Sequence, residues 1–253
     1  MARQRRRKMS EKLSQSNGRP IGFSTGCLYR YVVDTYSAEA LEIISRQGLG
    51  AIEVMCADAE HIKCLPEMIP MVKKFSVKSL HLPVDVKYGN NRETRQLLGA
   101  LNEFYQAIGA TLTVVHPDQV VNWDVFKGRP MRLAVENMDC RKKNFRLAND
   151  FAEFFEDHPD WLLVLDLNHC AVNDRSLKLA DDFISRFGER IAEIHLSGYT
   201  PDNFHLPLYQ SHGQKDILNH LPAGNCPIII ESPFQTAIGP ARELYYITRH
   251  LKA

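Results

Sequence analysis

The feature that most restricts the fold of this chain is a regular alternation of short β-type runs with helical patterns. Eight runs rich in apolar and β-branched residues recur about once every thirty residues. They span residues 20–25, 51–55, 79–84, 111–116, 132–137, 162–167, 191–197 and 227–231. Such alternation predicts parallel strands joined by right-handed crossovers, and eight strands is the number that closes a (β/α)8 barrel.

The segments between the runs have helical periodicity. Apolar residues at i, i+3, i+4 spacing over residues 97–108 predict a helix that Gly109 ends in a left-handed turn. Residues 177–187 repeat the pattern ahead of Gly188, and Ser37 is placed to cap the first helix of the chain. We interpret these apolar faces as core rather than as cofactor-binding surfaces.

The length of 253 residues suits one α/β barrel, which typically needs ~250. No linker divides the chain, so residues 20–253 are predicted to form a single TIM-barrel domain. An open doubly wound sheet is the main alternative. The first run, however, leads into the residues STGC at 24–27, with no G-x-G-x-x-G or Walker loop, which argues against nucleotide binding.

Residues 1–19 form a basic arm that we predict to be disordered. The first twenty residues contain seven basic residues and one acidic residue. Such an arm can bind nucleic acid, serve as a localisation signal or have no specific partner. No apolar run reaches the ~18 residues of a membrane helix, and the six scattered cysteines form no C-x-x-C pair. We therefore expect a cytoplasmic protein without a membrane partner, and the sequence determines no oligomeric state.

Carboxylates and imidazoles occur at or just after the ends of the predicted strands, from the third run to the eighth. In a barrel these strand ends converge on one mouth, where active sites of this fold lie. Side chains of both types are ligands of zinc, manganese and iron. The residues are His81, His116, Glu136, Asp166, His169, His195, His205 and Glu231. The sequence therefore predicts a metalloenzyme.

Seven short motifs around these residues carry a family resemblance. They are SLHLPV at 79–84, VVHP at 114–117, AVEN at 134–137, LDLNH at 165–169, IHLS at 194–197, HLP at 205–207 and IESP at 230–233. Over roughly residues 20–250 the chain resembles the xylose isomerase-like TIM-barrel superfamily, which includes endonuclease IV and the sugar isomerases and epimerases. Its ligand pattern is most similar to that of endonuclease IV.

The resemblance implies a ligand set that both branches of the superfamily share. The four residues that would hold this first metal are Glu136, Asp166, His195 and Glu231. Endonuclease IV uses further zinc ions, and the resemblance implies that His81 and His116 would join Glu136 on a second one.

A third zinc would be served by His169 and His205. In endonuclease IV this ion also takes an aspartate two residues before the last histidine, and here that position is Asn203, with Asp202 beside it. Asparagine ligates only weakly through its neutral carbonyl, so Asp202 would have to shift by one residue to restore the charge. His212 is a further candidate for contact with the substrate.

Two catalytic hypotheses follow from this resemblance. The main one is a phosphodiesterase with two or three Zn²⁺ ions that hydrolyses DNA at abasic sites, using bound water whose pKa falls from ~15.7 toward ~7. The alternative is a sugar isomerase or epimerase with one Mn²⁺ or Mg²⁺, in which Glu136 and Glu231 act as acid and base. His81 and His116 favour the hydrolase, whereas the acidic loop at residues 56–61 disfavours DNA binding. A non-catalytic barrel that binds metal or sugar is a third hypothesis.

Overall fold

The predicted (β/α)8 barrel is confirmed. A computed structural model describes residues 19–32, 34–56, 60–200, 203–211 and 214–251. Eight parallel strands close in the order β1-β10-β7-β6-β5-β4-β3-β2. Their bounds are β1 Ile21–Ser24, β2 Ala51–Met55, β3 Val77–His81, β4 Leu112–Val115, β5 Leu133–Glu136, β6 Leu162–Asp166, β7 Ile191–Leu196 and β10 Ile228–Ile230.

Two further strands, β8 Gly198–Thr200 and β9 Asn203–Leu206, form an antiparallel hairpin between β7 and β10. The sequence patterns did not predict this hairpin, which rises from the carboxyl-terminal end of β7. At the opposite end of the barrel, Arg19 donates side-chain hydrogen bonds to the carbonyls of Pro222 and Gly224. Residues 1–18 of the predicted basic arm lie outside the described residues.

Seven α-helices lie in the part of the chain that the structure describes. They are α1 Ala38–Ser45, α2 Leu65–Val72, α3 Arg92–Ile108, α4 Ala148–Asp157, α5 Leu167–Asn173, α6 Lys178–Phe187 and α7 Gly239–His250. The Ser37 side chain caps α1 by accepting from Ala40 N at 3.2 Å, as predicted. Gly109 ends α3 with φ of +67°, which confirms the left-handed turn. Gly188 has φ of −52° because α6 runs directly into a 3₁₀ turn, so no left-handed turn closes that helix.

Alternate residues of each strand face opposite sides of the barrel wall. On β6, Leu163 and Leu165 belong to the main core between the barrel and the helices, whereas Val164 belongs to a separate apolar cluster inside the barrel. Asp166 shares the inward parity of Val164 and ends the strand. The alternation along the strand thus places an inward-facing side chain at the carboxyl-terminal mouth of the barrel. Among the described residues, no helix is both long and apolar enough to span a lipid bilayer.

Candidate metal centre

The eight residues predicted to bind metal converge on the carboxyl-terminal mouth of the barrel. His81, Glu136 and Asp166 are the last residues of β3, β5 and β6. The other five are His116 and Glu231, directly after β4 and β10, His195 within β7, His169 within α5 and His205 within β9. The candidate donors at the mouth therefore come from six barrel strands or the residues directly after them, and from α5 and β9.

Four of these residues form one compact donor group. One donor atom from each lies within 4.8 Å of the others, and the residues are Glu136, Asp166, His195 and Glu231. His195 Nδ1 lies 3.5 Å from Glu136 Oε1 and 3.4 Å from Glu231 Oε1. Glu231 has 14% of its side chain exposed, whereas the other three are almost fully buried. The group therefore faces the cavity through Glu231 and Glu136, of which Glu231 is the more exposed.

A second donor group shares Glu136. His116 Nε2 lies 3.0 Å and His81 Nε2 lies 3.4 Å from Glu136 Oε2. Because His195 approaches the other oxygen of the same carboxylate, Glu136 lies between the two groups. This arrangement could bridge two ions.

A third donor group contains Asp166, His169 and His205, with donor atoms again within 4.8 Å of one another. Asp166 caps α5 by accepting from His169 N at 2.9 Å, which explains the spacing of three residues between the two. The Asn137 carbonyl lies 2.7 Å from His169 Nδ1 and can accept its hydrogen. In that tautomer His169 Nε2 is available as a donor to a metal.

Electrostatics divide the histidines of the mouth into two classes. Burial disfavours charge on His81, but Glu53 and Glu136 raise its pKa to about 9. His195 behaves similarly, and neighbouring carboxylates hold its pKa well above the usual value despite burial. Burial lowers the pKa of His205 to about 3, and it also lowers the pKa of His116. The latter two imidazoles are therefore neutral near pH 7, as metal ligation requires.

The carboxylates show that negative charge is crowded at the mouth. Burial raises the pKa of Glu231 to about 8, and burial together with Glu136 raises that of Asp166 to about 6. Burial also opposes the charge of Glu136, yet His116 and His195 hold its pKa well below the ordinary value. Without a further cation, some of these groups must take up protons.

Two buried donor atoms of the four-residue group support metal binding. Neither His195 Nδ1 nor Asp166 Oδ2 has a hydrogen-bond partner among the described residues. Buried polar atoms without partners are costly, and metal ligation would satisfy both. Three carboxylates and one imidazole suit Mn²⁺, Mg²⁺ or Zn²⁺. The residues present therefore fit a divalent ion.

Sequence reasoning missed two carboxylates beneath this group. Glu53 lies on β2 and Glu193 on β7, and each is at most 1% exposed. Glu193 lies two residues before His195 on the same strand and thus shares its inward parity. An acidic residue at an inward-facing position within a barrel strand was the available signal in both cases.

The cavity above the donors has a volume of about 460 Å³, within the range of small-molecule sites. Its rim includes Arg141, which forms an ion pair with Asp139, and Lys142, which lies 2.6 Å from Asp118. An adjoining cavity of about 360 Å³ is also lined by Arg141 and additionally by Arg30. Basic side chains therefore lie around an acidic floor.

Three further candidates cannot be placed in this centre. Asp202 and His212 lie outside the described residues. Asn203 begins β9, and its side chain also lies outside what the structure describes. The composition of the third donor group beyond Asp166, His169 and His205 stays a prediction.

No protein-family model and no curated protein sequence matches the chain. Solved structures do match. D-allulose 3-epimerase from Methylomonas sp. aligns with a TM-score of 0.64 and 14% identity, over 92% of this chain and 98% of that chain. A 3-keto-D-glucoside 4-epimerase from E. coli aligns with a TM-score of 0.65 and 12% identity, over 91% and 99%.

A protein from Bacillus anthracis assigned as a 3-DHS dehydratase aligns with a TM-score of 0.65 and 13% identity, over 92% of this chain and 98% of that chain. At such identities the likeness concerns the fold, and one fold supports several reactions. The similarity of the ligand pattern to endonuclease IV stays a prediction. The chain has the (β/α)8-barrel fold of these solved structures.

Proposed function

We propose that this chain is a divalent-metal-dependent enzyme that isomerises or epimerises a sugar or a related polyhydroxy ketone. The observation that carries the proposal is the compact four-residue donor group at the floor of a small-molecule cavity. The structurally similar proteins named as epimerases of D-allulose and of a 3-keto-D-glucoside support the substrate class. Between the two hypotheses from the sequence, this evidence favours the alternative over the phosphodiesterase.

Glu136 and Glu231 are the residues proposed to move the proton. One carboxylate removes the proton from the carbon next to the substrate carbonyl, and the electron pair of that C–H bond becomes part of an enediolate. In an epimerase the other returns a proton to the opposite face of the same carbon. In an isomerase it returns a proton to the neighbouring carbon, and the hydroxyl proton of the first carbon passes to the oxygen that was the carbonyl. No atom is gained or lost overall.

The donor group would hold one divalent ion, which supplies an electrophile that acidifies the substrate C–H bond. Its oxygen-rich composition favours Mn²⁺ or Mg²⁺, and Zn²⁺ is also compatible. Arg141, His169 and His205 line the same cavity, and we propose that they bind hydroxyl groups of the substrate. Contact between His169 and the substrate is what the sugar hypothesis expects.

Proton exchange provides a direct test. The protein, loaded in turn with Mn²⁺, Mg²⁺, Co²⁺ or Zn²⁺, is incubated in D₂O with a panel of ketoses that includes D-allulose and D-fructose. We expect deuterium to enter at one carbon in the NMR spectrum and an epimer or isomer to appear by chromatography. Glu231→Gln is the matched inactive control. Absence of exchange across the whole panel with every metal would contradict the proposal.

A multinuclear zinc phosphodiesterase is the second candidate, because two further donor groups adjoin the first. His81 and His116 with Glu136, and His169 and His205 with Asp166, offer more donors than one ion takes. Elemental analysis and nicking of duplex DNA with a tetrahydrofuran abasic analogue, with and without chelator, separate the candidates. Two or three zinc equivalents together with chelator-sensitive nicking would support the phosphodiesterase and contradict the sugar reaction. Tightly bound metal without either activity would indicate a non-catalytic barrel.

A further inference from the structure

A pair of buried carboxylates lies directly beneath the metal centre. Barrel interiors of this fold are mainly filled by apolar branched side chains, so Glu53 and Glu193 require a partner there. Both approach the same atom. His195 Nε2 lies 3.2 Å from Glu53 Oε2 and 3.4 Å from Glu193 Oε1.

The two nitrogens of His195 therefore face different surroundings. Nδ1 faces the metal-donor oxygens of Glu136 and Glu231, at 3.5 and 3.4 Å. Nε2 faces the carboxylate pair beneath. A neutral imidazole carries one hydrogen, which is placed by the hydrogen bond that its nitrogen makes.

Only one tautomer satisfies both surroundings when a metal is bound. A hydrogen on Nε2 is donated toward Glu53 and Glu193 and leaves the Nδ1 lone pair for the ion. A hydrogen on Nδ1 would block ligation and set the Nε2 lone pair against two carboxylates. The hydrogen bond of regular geometry that Nε2 makes is to Glu193 Oε1. Glu53 Oε2 is nearer, at 3.2 Å, but neither Glu53 oxygen accepts a hydrogen bond of regular geometry among the described residues, so this carboxylate acts on Nε2–H as a close negative charge with free accepting capacity.

We propose that Glu193 and Glu53 are positioning residues that together fix His195 with its hydrogen on Nε2 and Nδ1 as the metal donor, Glu193 as the hydrogen-bond acceptor and Glu53 as the nearer negative charge. The inference rests on the proposed function only in requiring that the four-residue group bind a divalent ion. Carboxylates behind ligating histidines orient the ring and make it a stronger donor, and their loss typically weakens metal binding about 10–100-fold.

Metal affinity tests the proposal. Zn²⁺ and Mn²⁺ dissociation constants are measured by competition with a chromophoric chelator. We expect Glu53→Gln to weaken binding about 10–100-fold, and Glu53→Asp, which keeps the charge, to restore part of the loss. The matched control is Glu243→Gln, because Glu243 is a fully buried carboxylate that accepts from Leu208 N rather than from a histidine of the centre. It should leave the affinity unchanged.

A second measurement requires no altered carboxylate. In zinc-loaded protein with ¹⁵N-labelled histidine, long-range ¹H–¹⁵N spectra report which ring nitrogen carries hydrogen, and His195→Asn assigns the signals. We expect His195 to be protonated on Nε2 and metal-bound through Nδ1. The opposite pattern, or native affinity in Glu53→Gln, would overturn the inference. If sugar turnover is absent while the metal affinities and the NMR spectra are as expected, the proposed function is contradicted and this inference is not.

Discussion

The interior of the barrel contains two regions of opposite character. The lower region is an apolar cluster of Leu112, Val114, Ala134 and Val164. The upper region is a cluster of buried carboxylates and imidazoles. On β5 and β6 the change from apolar to acidic side chains occurs between two successive inward-facing residues, from Ala134 to Glu136 and from Val164 to Asp166.

This difference shows how the fold separates stability from chemistry. Side chains of the lower region fill space against one another and need no ligand. The carboxylates of the upper region repel one another unless protons or a cation neutralise their charge. Substitutions in the two regions should therefore change different measurable properties.

The largest effect is expected from Glu231→Gln in the upper region. Loss of a carboxylate that transfers a proton should reduce turnover about 10²–10⁴-fold, measured by deuterium exchange into the ketose substrate. The metal-free variant should remain folded, because amide and carboxylate have nearly the same shape. Native turnover in this variant would show that Glu231 transfers no proton.

A change in the lower region should affect stability instead. Leu112 is 4% exposed inside the barrel, and Leu112→Ala should lower the free energy of unfolding by about 2–5 kcal/mol through lost burial and a cavity. Urea denaturation measures this loss, and chelator competition measures the metal affinity in parallel. A fall in metal affinity at temperatures where the variant is fully folded would show that the lower region also affects metal binding.

A buried carboxylate outside the donor groups sharpens the comparison by giving a pH dependence of stability that needs no metal. Burial raises the pKa of Glu243 to about 7, although Leu208 N and Ser232 Oγ donate to its carboxylate. Because its folded pKa exceeds the ordinary value near 4.5, its contribution to stability is fully present below pH 4.5 and is lost as pH rises through about 7.

Glu243→Gln should therefore flatten the pH dependence of the unfolding free energy across this interval, by up to about 3 kcal/mol. Denaturation in the presence of chelator from pH 4 to pH 8 measures the difference from the unsubstituted protein. Parallel stability curves for the two proteins would show that Glu243 has an ordinary pKa.

The smallest effect expected under the proposed function is that of His116→Ala. His116 lies outside the four-residue donor group, so the bound metal should stay at one equivalent. Turnover should change by less than the roughly tenfold loss that follows removal of a group behind a metal ligand. A fall in metal stoichiometry, measured by elemental analysis, would instead support the multinuclear phosphodiesterase.

The sequence by itself determined the barrel and a set of candidate donor residues at its mouth. Strand periodicity is a local property, so the eight runs, with Glu136 and Asp166 next to the ends of theirs, could be recognised from residue order. His81 lay inside the predicted run 79–84, and the structure ends β3 at this residue. Gly109 could be recognised in the same way, as a residue suited to the left-handed turn that ends α3.

Only the tertiary structure decided which of these residues meet, and what lies beneath them. The β8–β9 hairpin that carries His205, and the contact of Glu53 with Nε2 of His195, join segments far apart in the chain. Whether β2 and β7 bring their inward residues together depends on closure and strand stagger, which no local pattern encodes. The roles of the donors depend on these distances, because metal ligation and proton transfer act over a few ångströms.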